Sequence, residues 1–437
     1  MLKGVILIGG PQKGTRFRPL SLDVPKPLFP VAGLPIIQHH VEACVCIPNL
    51  EEILIIGFYP ASQISQFISD MQHEYQIKIR YLQEFTALGT AGGMYHFRDL
   101  IRGGSPEAFF ILNGDVCADF PLQKLLEFHK KQNNALVTIM GTEATKEQAI
   151  NYGCLVTDKE SGMVSHYVEK PDTYVSTLIN CGVYVCSLDI FQTIGNIFQA
   201  KQQEFYRYGC VYIVCSNLFH VLICFRQSPG SNKDSCYIEW EREILQQLAG
   251  TGQLFALSVS NWWSQLKTAS SAIYANKHYL ELYKLRHPSR LSNKHECTVY
   301  PDVYINPSAN IHSTAVLGPN VSIGEGVTIG PGVRIRESIV LPNATIDDHA
   351  LILYSIIGKG SRVGKWARVE GAPGDPNPNK PFAKMDNPPL FNNEGRLNPS
   401  ITILGSSVIV PAEKILLNSI VLPHKELSRS FKNEIIL

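Results

Sequence analysis

The chain has 437 residues, enough for two or three domains. Its 39 basic and 38 acidic residues nearly cancel, which argues against a broad basic face for nucleic acid and against a polybasic membrane anchor. Hydrophobic residues at 45% and charged residues at 18% supply a sizeable core and exclude a disordered chain. None of the eleven cysteines forms a CxxC pair, so neither a zinc nor a disulfide framework is indicated.

The opening Met1-Leu2-Lys3-Gly4-Val5-Ile6-Leu7-Ile8-Gly9-Gly10 is too short in its apolar run for a signal peptide and reads as a buried first strand. A reducing, cytoplasmic setting is the expectation. Apolar runs at 5–8, 53–57, 109–112 and 135–140 are each separated by enough chain for a helix. That spacing predicts an α/β, Rossmann-like domain over residues 1–290 with a largely parallel sheet. Ligands on such sheets lie at the carboxyl ends of the strands. Gly9-Gly10 and Asn113-Gly114-Asp115 follow two of the runs.

Residues 204–240 fit this pattern poorly. Tyr208 to Phe225 is mostly apolar, and Cys210, Cys215, Cys224 and Cys236 crowd the same stretch. Ser216, Asn217 and His220 in its middle argue against a membrane span. An unusual insertion is expected here, either a splicing product or an extra strand or helix packed on the sheet.

From Val299 the pattern changes to a period of six. Val299, Ile305, Ile311, Leu317, Ile323, Ile329, Ile335 and Leu341 keep the step. It resumes at Ile346 and Ile352, at Ile357, Val363 and Val369, and at Ile403, Ile409, Ile415 and Val421. A hexapeptide repeat predicts a left-handed parallel β-helix over 297–437, with one aliphatic side chain per step pointing inward. The Pro- and Asn-rich stretch 371–400 interrupts the repeat and predicts a long loop leaving the coil.

After the first strand comes Gly9-Gly10-Pro11-Gln12-Lys13-Gly14-Thr15-Arg16-Phe17-Arg18-Pro19-Leu20, then Pro25-Lys26-Pro27-Leu28. A Gly-rich turn lets backbone N–H groups, here at Gly10 and Gly14, approach phosphate oxygens. Arg16 and Lys26 add positive charge. This string resembles the signature of the sugar-nucleotide pyrophosphorylases. Leu88-Gly89-Thr90-Ala91-Gly92 is similar to the family's nucleobase loop, and Asn113-Gly114-Asp115 to its metal-binding strand end. Val168-Glu169-Lys170-Pro171 and Asn180-Cys181-Gly182 are similar to its sugar-side motifs. With the solenoid and the ending Val421 to Leu427, the match is closest to the mannose-1-phosphate guanylyltransferases, within them to the animal regulatory alpha subunit. It covers nearly the whole chain apart from 204–240.

The resemblance implies a reaction in which mannose 1-phosphate attacks the α-phosphorus of GTP, with Mg²⁺ between two carboxylates. It implies Asp115 as one metal ligand and Lys170 near the sugar phosphate. A carboxylate can tell guanine from adenine by accepting from both N1–H and N2–H, and Glu84, just before the Leu88-Gly89-Thr90 loop, is the candidate. Two departures stand out. The phosphate turn holds three residues where the family has one, and Pro11 lacks a backbone donor. Gln265, in Trp263-Ser264-Gln265-Leu266-Lys267, stands where the family has its second metal-binding Asp. Mg²⁺ is then expected to be poorly held, and binding not to require it.

The expected function is therefore a regulatory subunit that binds GDP-mannose and restrains a catalytic, beta-type guanylyltransferase subunit in a hetero-oligomer, with self-association also expected. An active enzyme in which Gln265 or water completes the metal shell is the alternative. Two further classes compete with it. An acyltransferase would use His312 or His349 of the repeat, without any acyl-carrier signature. A scaffold like the related subunits of the translation-initiation exchange factor would bind initiation factors.

Overall fold

The computed structural model describes residues 1–10, 14–209, 237–292, 297–386 and 388–437. Pro11, Gln12 and Lys13 of the phosphate turn lie outside the described residues. So do Cys210, Cys215, Cys224 and Cys236 with most of the insert.

The four apolar runs are strands, at Leu2–Gly9, Leu50–Gly57, Ala108–Asn113 and Val137–Glu143. Each carries a nearly unbroken set of buried side chains, as strands covered on both faces require. They belong to a sheet of nine strands among the described residues. Leu2–Gly9 lies parallel between Leu50–Gly57 and Ala108–Asn113. The sheet is less parallel than the runs predict. Leu178–Cys186 joins Ala108–Asn113 and Val137–Glu143 antiparallel to both, and Gly153–Thr157 with Val164–Glu169 adds a further antiparallel edge. The fourth run is thus a strand, but its partner there is antiparallel.

Two compact units emerge, and they do not follow chain order. One comprises 1–9, 43–113 and 121–260 and holds the nine-stranded sheet. The other comprises 10–42, 114–120 and 261–437. The phosphate-turn segment and the Asp115 segment therefore leave the sheet at Gly9 and Asn113 and join the second unit.

From Thr298 onward, short strands follow one another through three parallel sheets in rotation, the architecture of a parallel β-helix. A full coil takes 18 residues at Val303↔Val321 but 17 at Ser322↔Ile339 and Ile339↔Ile356. The shortened coils shift the inward positions. Val340, Leu404, Val410 and Leu416 fill the coil interior, not the expected Leu341, Ile403, Ile409 and Ile415. A one-residue slip turns a side chain to the other face of a strand. Leu341 and Ile403 bury instead in a second cluster with Leu280 and Tyr279, while Ile409 and Ile415 are 43% and 46% exposed.

That second cluster forms around the helix Ala269–Arg286. Thr268 and Ser271 cap the helix reciprocally. Asn276, fully buried on it, accepts from the Ala32 N–H at 2.9 Å and from Ser322 Oγ at 2.6 Å. The 371–400 stretch leaves the coil after Arg368–Glu370 and returns in register, since Ile356 pairs with Ile403. Its base is tied down. Ser270 and Ser400 hydroxyls meet at 2.7 Å, and Lys277 Nζ lies 3.2 Å from Asp375 Oδ2. No helix among the described residues is long and apolar enough to cross a membrane.

Candidate functional site

The sequence-predicted residues fall into two groups, one on each unit. Gly10, Gly14, Arg16, Lys26, Asp115 and Gln265 belong to the unit that carries the solenoid. Glu84, Gly89, Glu169, Lys170 and Asn180 belong to the sheet unit.

In the first group, Gly14 adopts φ +83°, a left-handed conformation that favours glycine, and starts the short 3-10 turn Thr15–Phe17. Phe17 is buried edge-on against Phe29, with ring centroids 5.0 Å apart, which anchors the turn while Arg16 stays exposed. Lys26 begins a second 3-10 turn, Lys26–Leu28. Its aliphatic stem lies against Gly14, where an added Cβ would meet Lys26 Cδ at 3.5 Å. Its ammonium reaches Asp115 Oδ2 at 3.7 Å. Asp115 precedes the strand Val116–Ala118, which pairs antiparallel with Trp263–Gln265. Gln265 stands opposite Val116, and the Leu266 N–H donates to the Asp115 carbonyl at 2.8 Å. The amide Oε1 of Gln265 is buried without a hydrogen-bond partner among the described residues.

The donors at this place are one carboxylate, already facing an ammonium, and one neutral amide oxygen. Mg²⁺ prefers anionic oxygens in near-octahedral array. The set fits a tightly held Mg²⁺ poorly, and among the described residues no cluster of three His, Cys, Asp or Glu side chains could hold an ion.

In the second group, Gly89 starts the helix Gly89–His96 at φ +75°. The Glu84 carboxylate lies against Gly93 of that helix, where any side chain would collide with it. Glu169 and Asn180 share a polar network. Tyr167 Oη donates to Glu169 Oε2 at 2.8 Å. Asn180 Nδ2 donates to Tyr167 Oη at 3.2 Å and to Tyr184 Oη at 2.9 Å, and its Oδ1 accepts from the Gly182 N–H at 2.9 Å. Burial pushes both tyrosine hydroxyls far above their usual range, so they remain neutral donors. Lys170 turns to φ +48°, and its ammonium sits 3.1 Å from Glu169 Oε1.

Tyr167 and Tyr184 were not among the residues read from the motifs. Tyr167 stands two before Glu169 on one strand and shares its face, the one signal that could have found it. Glu241 was also missed, because it borders the apolar insert. Burial, then the nearby Glu169 charge, raise its carboxyl to about 6.

His312 and His349 are surface groups of the solenoid. His312 Nδ1 lies 3.0 Å from Thr314 Oγ1, and His349 stacks on the exposed Trp366 at 4.3 Å.

Residues 3–222 match the family described as nucleotidyl transferase, and residues 299–436 match the GMPPB C-terminal domain. A mannose-1-phosphate guanylyltransferase regulatory subunit alpha of Drosophila melanogaster is 66% identical over 451 aligned residues, covering all of both chains. The Xenopus laevis mannose-1-phosphate guanyltransferase alpha-B is 54% identical, again over the whole of both chains. The same holds for regulatory subunit alpha-A of Danio rerio, also 54% identical. The chain belongs to the mannose-1-phosphate guanylyltransferase regulatory subunit alpha family.

Proposed function

We propose that this chain binds GDP-mannose and, as a non-catalytic subunit, restrains a catalytic guanylyltransferase subunit when that product accumulates. Arg16, Lys26 and the backbone around Gly10 and Gly14 neutralise the diphosphate. On the sheet unit, the motif resemblance assigns Glu169, Lys170 and Asn180 to the hexose, and Glu84 beside the Gly89 loop is the candidate guanine reader. The names of the full-length relatives, regulatory subunits, support a catalytic partner; that it is beta-type and held in a hetero-oligomer is part of the proposal. The 371–400 loop, tied at its base to Ser270 and Lys277, is the element proposed to carry the bound state to that partner.

One observation carries the reading. Asp115 faces Lys26, and the strand beside it offers Gln265 in place of an acid. Phosphoryl transfer depends on neutralising charge on the moving group. A product that brings its own two phosphates can be held by cations and backbone donors alone. The buried Oε1 of Gln265, unpartnered among the described residues, supports a second reading, an active enzyme in which this oxygen joins a metal shell.

Purified chain with Mg²⁺, GTP and mannose 1-phosphate separates the two. The proposal expects no GDP-mannose from the chain alone, and a GDP-mannose-dependent loss of activity when it is added to the catalytic subunit. Turnover by the chain alone at the rate of an ordinary guanylyltransferase would establish the second reading instead.

A further inference from the structure

The helix Gly89–His96 opens with Gly-Thr-Ala-Gly-Gly, and glycine is among the poorest helix formers. Leu88, at its N-cap, provides no side-chain acceptor, so the first N–H groups of the helix need partners from elsewhere. The stretch Ile238 to Trp240 supplies them. The Ile238 carbonyl accepts from the Ala91 N–H at 3.1 Å and from the Gly92 N–H at 3.4 Å. The Ile238 N–H donates to the Leu88 carbonyl at 2.9 Å. A Cβ on Gly89 would overlap the Ile238 carbonyl, so only glycine allows this approach.

One side chain of the helix start joins this clamp. Thr90 Oγ1 accepts from the Trp240 N–H at 2.8 Å. The clamp has a firm footing. Trp240 is buried and packs edge-on against Tyr184, with ring centroids 5.7 Å apart. Lys201 Nζ donates to the Tyr237 carbonyl at 2.6 Å. Removing the Thr90 hydroxyl would take this acceptor from the Trp240 N–H, and a backbone donor that loses its partner away from water is unfavourable.

The same helix sets where the Glu84 carboxylate lies. The Glu84 backbone is held at the end of the sheet, since its N–H donates to the Gly57 carbonyl at 2.8 Å. Its carboxylate rests against Gly93, one turn into the helix, where any side chain would collide with it. A shift of the helix start therefore moves the surface that aims this carboxylate. Reading guanine takes two hydrogen bonds to one carboxylate, and such bonds weaken steeply with poor distance and angle. We propose that Thr90 is a positioning residue: by pinning the helix start to the Trp240 peptide, it holds Glu84 in line for the guanine edge. This rests on the reading of Glu84 given above and adds to it a residue that acts through Glu84.

The test is titration of the full chain with GDP-mannose and with IDP-mannose, whose base lacks the 2-amino group of guanine. Wild type is compared with Thr90→Val, Thr90→Ser, Glu84→Gln and the Thr90→Val/Glu84→Gln pair. Thr90→Val is expected to lower the preference for GDP-mannose about three- to tenfold. Thr90→Ser keeps the acceptor and the wild-type preference. In the Glu84→Gln background Thr90→Val lowers the preference no further, the mark of two residues acting as one unit. An unchanged preference in Thr90→Val would overturn the proposal. So would an equal loss for both ligands, which would make Thr90 only a support for the fold, or a full further loss in the Glu84→Gln background. If Thr90→Val does not fold, Thr90→Cys decides: its weaker acceptor predicts an intermediate preference, and an unchanged one overturns the proposal. A Glu84→Gln variant that keeps the wild-type preference would instead defeat the underlying reading of Glu84, and that arm shows this without any change at Thr90.

Discussion

Replacing Lys26 with Met keeps the stem that lies against Gly14 and deletes the charge that faces Asp115. At the observed 3.7 Å the gross attraction is about 4 kcal/mol at an effective dielectric of about 20. Asp115 is 37% exposed at its side chain, so solvent screening brings the net value to about 1 kcal/mol. Folding should therefore survive, with a small drop in melting temperature. Ligand binding should suffer more, because a charged hydrogen bond to phosphate is worth about 1.5–3 kcal/mol, or roughly ten- to a hundredfold in affinity. Removing Lys26 also leaves Asp115 without its cation. The variant should then gain a dependence on Mg²⁺ that the wild type is expected not to show, with the divalent ion restoring part of the lost affinity. Calorimetric titration with GDP-mannose, with Mg²⁺ and with chelator, reads both effects. Wild-type affinity in Lys26→Met under chelator would refute the idea that this ammonium serves the diphosphate.

Gln265→Asp places a second carboxylate on the strand paired with that of Asp115, and is expected to raise Mg²⁺ affinity at least tenfold and to create weak GDP-mannose synthesis. Magnesium titration and a product assay check this, and an inert variant would show that the reshaped phosphate turn is the limiting defect. His39, His129 and His278 are each held down to about 4 by burial, against about 6.5 when unfolded. The unfolded chain then binds more protons between these values, so their contribution to stability is full above 6.5 and lost as the pH falls toward 4, by about 2 kcal/mol each at pH 5. Glu241, raised to about 6, opposes them in part. Urea midpoints at pH 7.5 and 5 should fall accordingly, and equal midpoints would contradict the burial argument. Deleting residues 372–399 should leave GDP-mannose binding intact and abolish feedback on the catalytic subunit. Feedback of wild-type strength in the deletion would remove the loop from the mechanism.

Strands over 2–9, 50–57 and 108–113 were legible because runs buried on both faces need continuous apolar sequence. The antiparallel strand Leu178–Cys186 was not assigned, since pairing direction is set by tertiary context and leaves no periodicity. In the solenoid the period of six was plain, yet the inward residue was misread at several places where two aliphatics adjoin. Ile403-Leu404 and Ile415-Leu416 each offer two choices, and the 17-residue coils together with the helix Ala269–Arg286 decide between them. For the site, Gly14, Lys26, Asp115 and Gln265 could be named because backbone geometry and phosphate charge restrict the residue types allowed. Tyr167 and Tyr184, which share the hydrogen-bond network of Glu169 and Asn180, could not, since no fixed spacing marks them.

The central claim is that nucleotide sugar is held without a divalent ion. Equilibrium titration of the wild-type chain with GDP-mannose in excess EDTA, repeated in millimolar Mg²⁺, addresses this directly. Affinities equal within about twofold are the predicted result. Binding that vanishes in EDTA and returns with Mg²⁺ would contradict it, because Asp115 and Gln265 would then be gripping a metal after all.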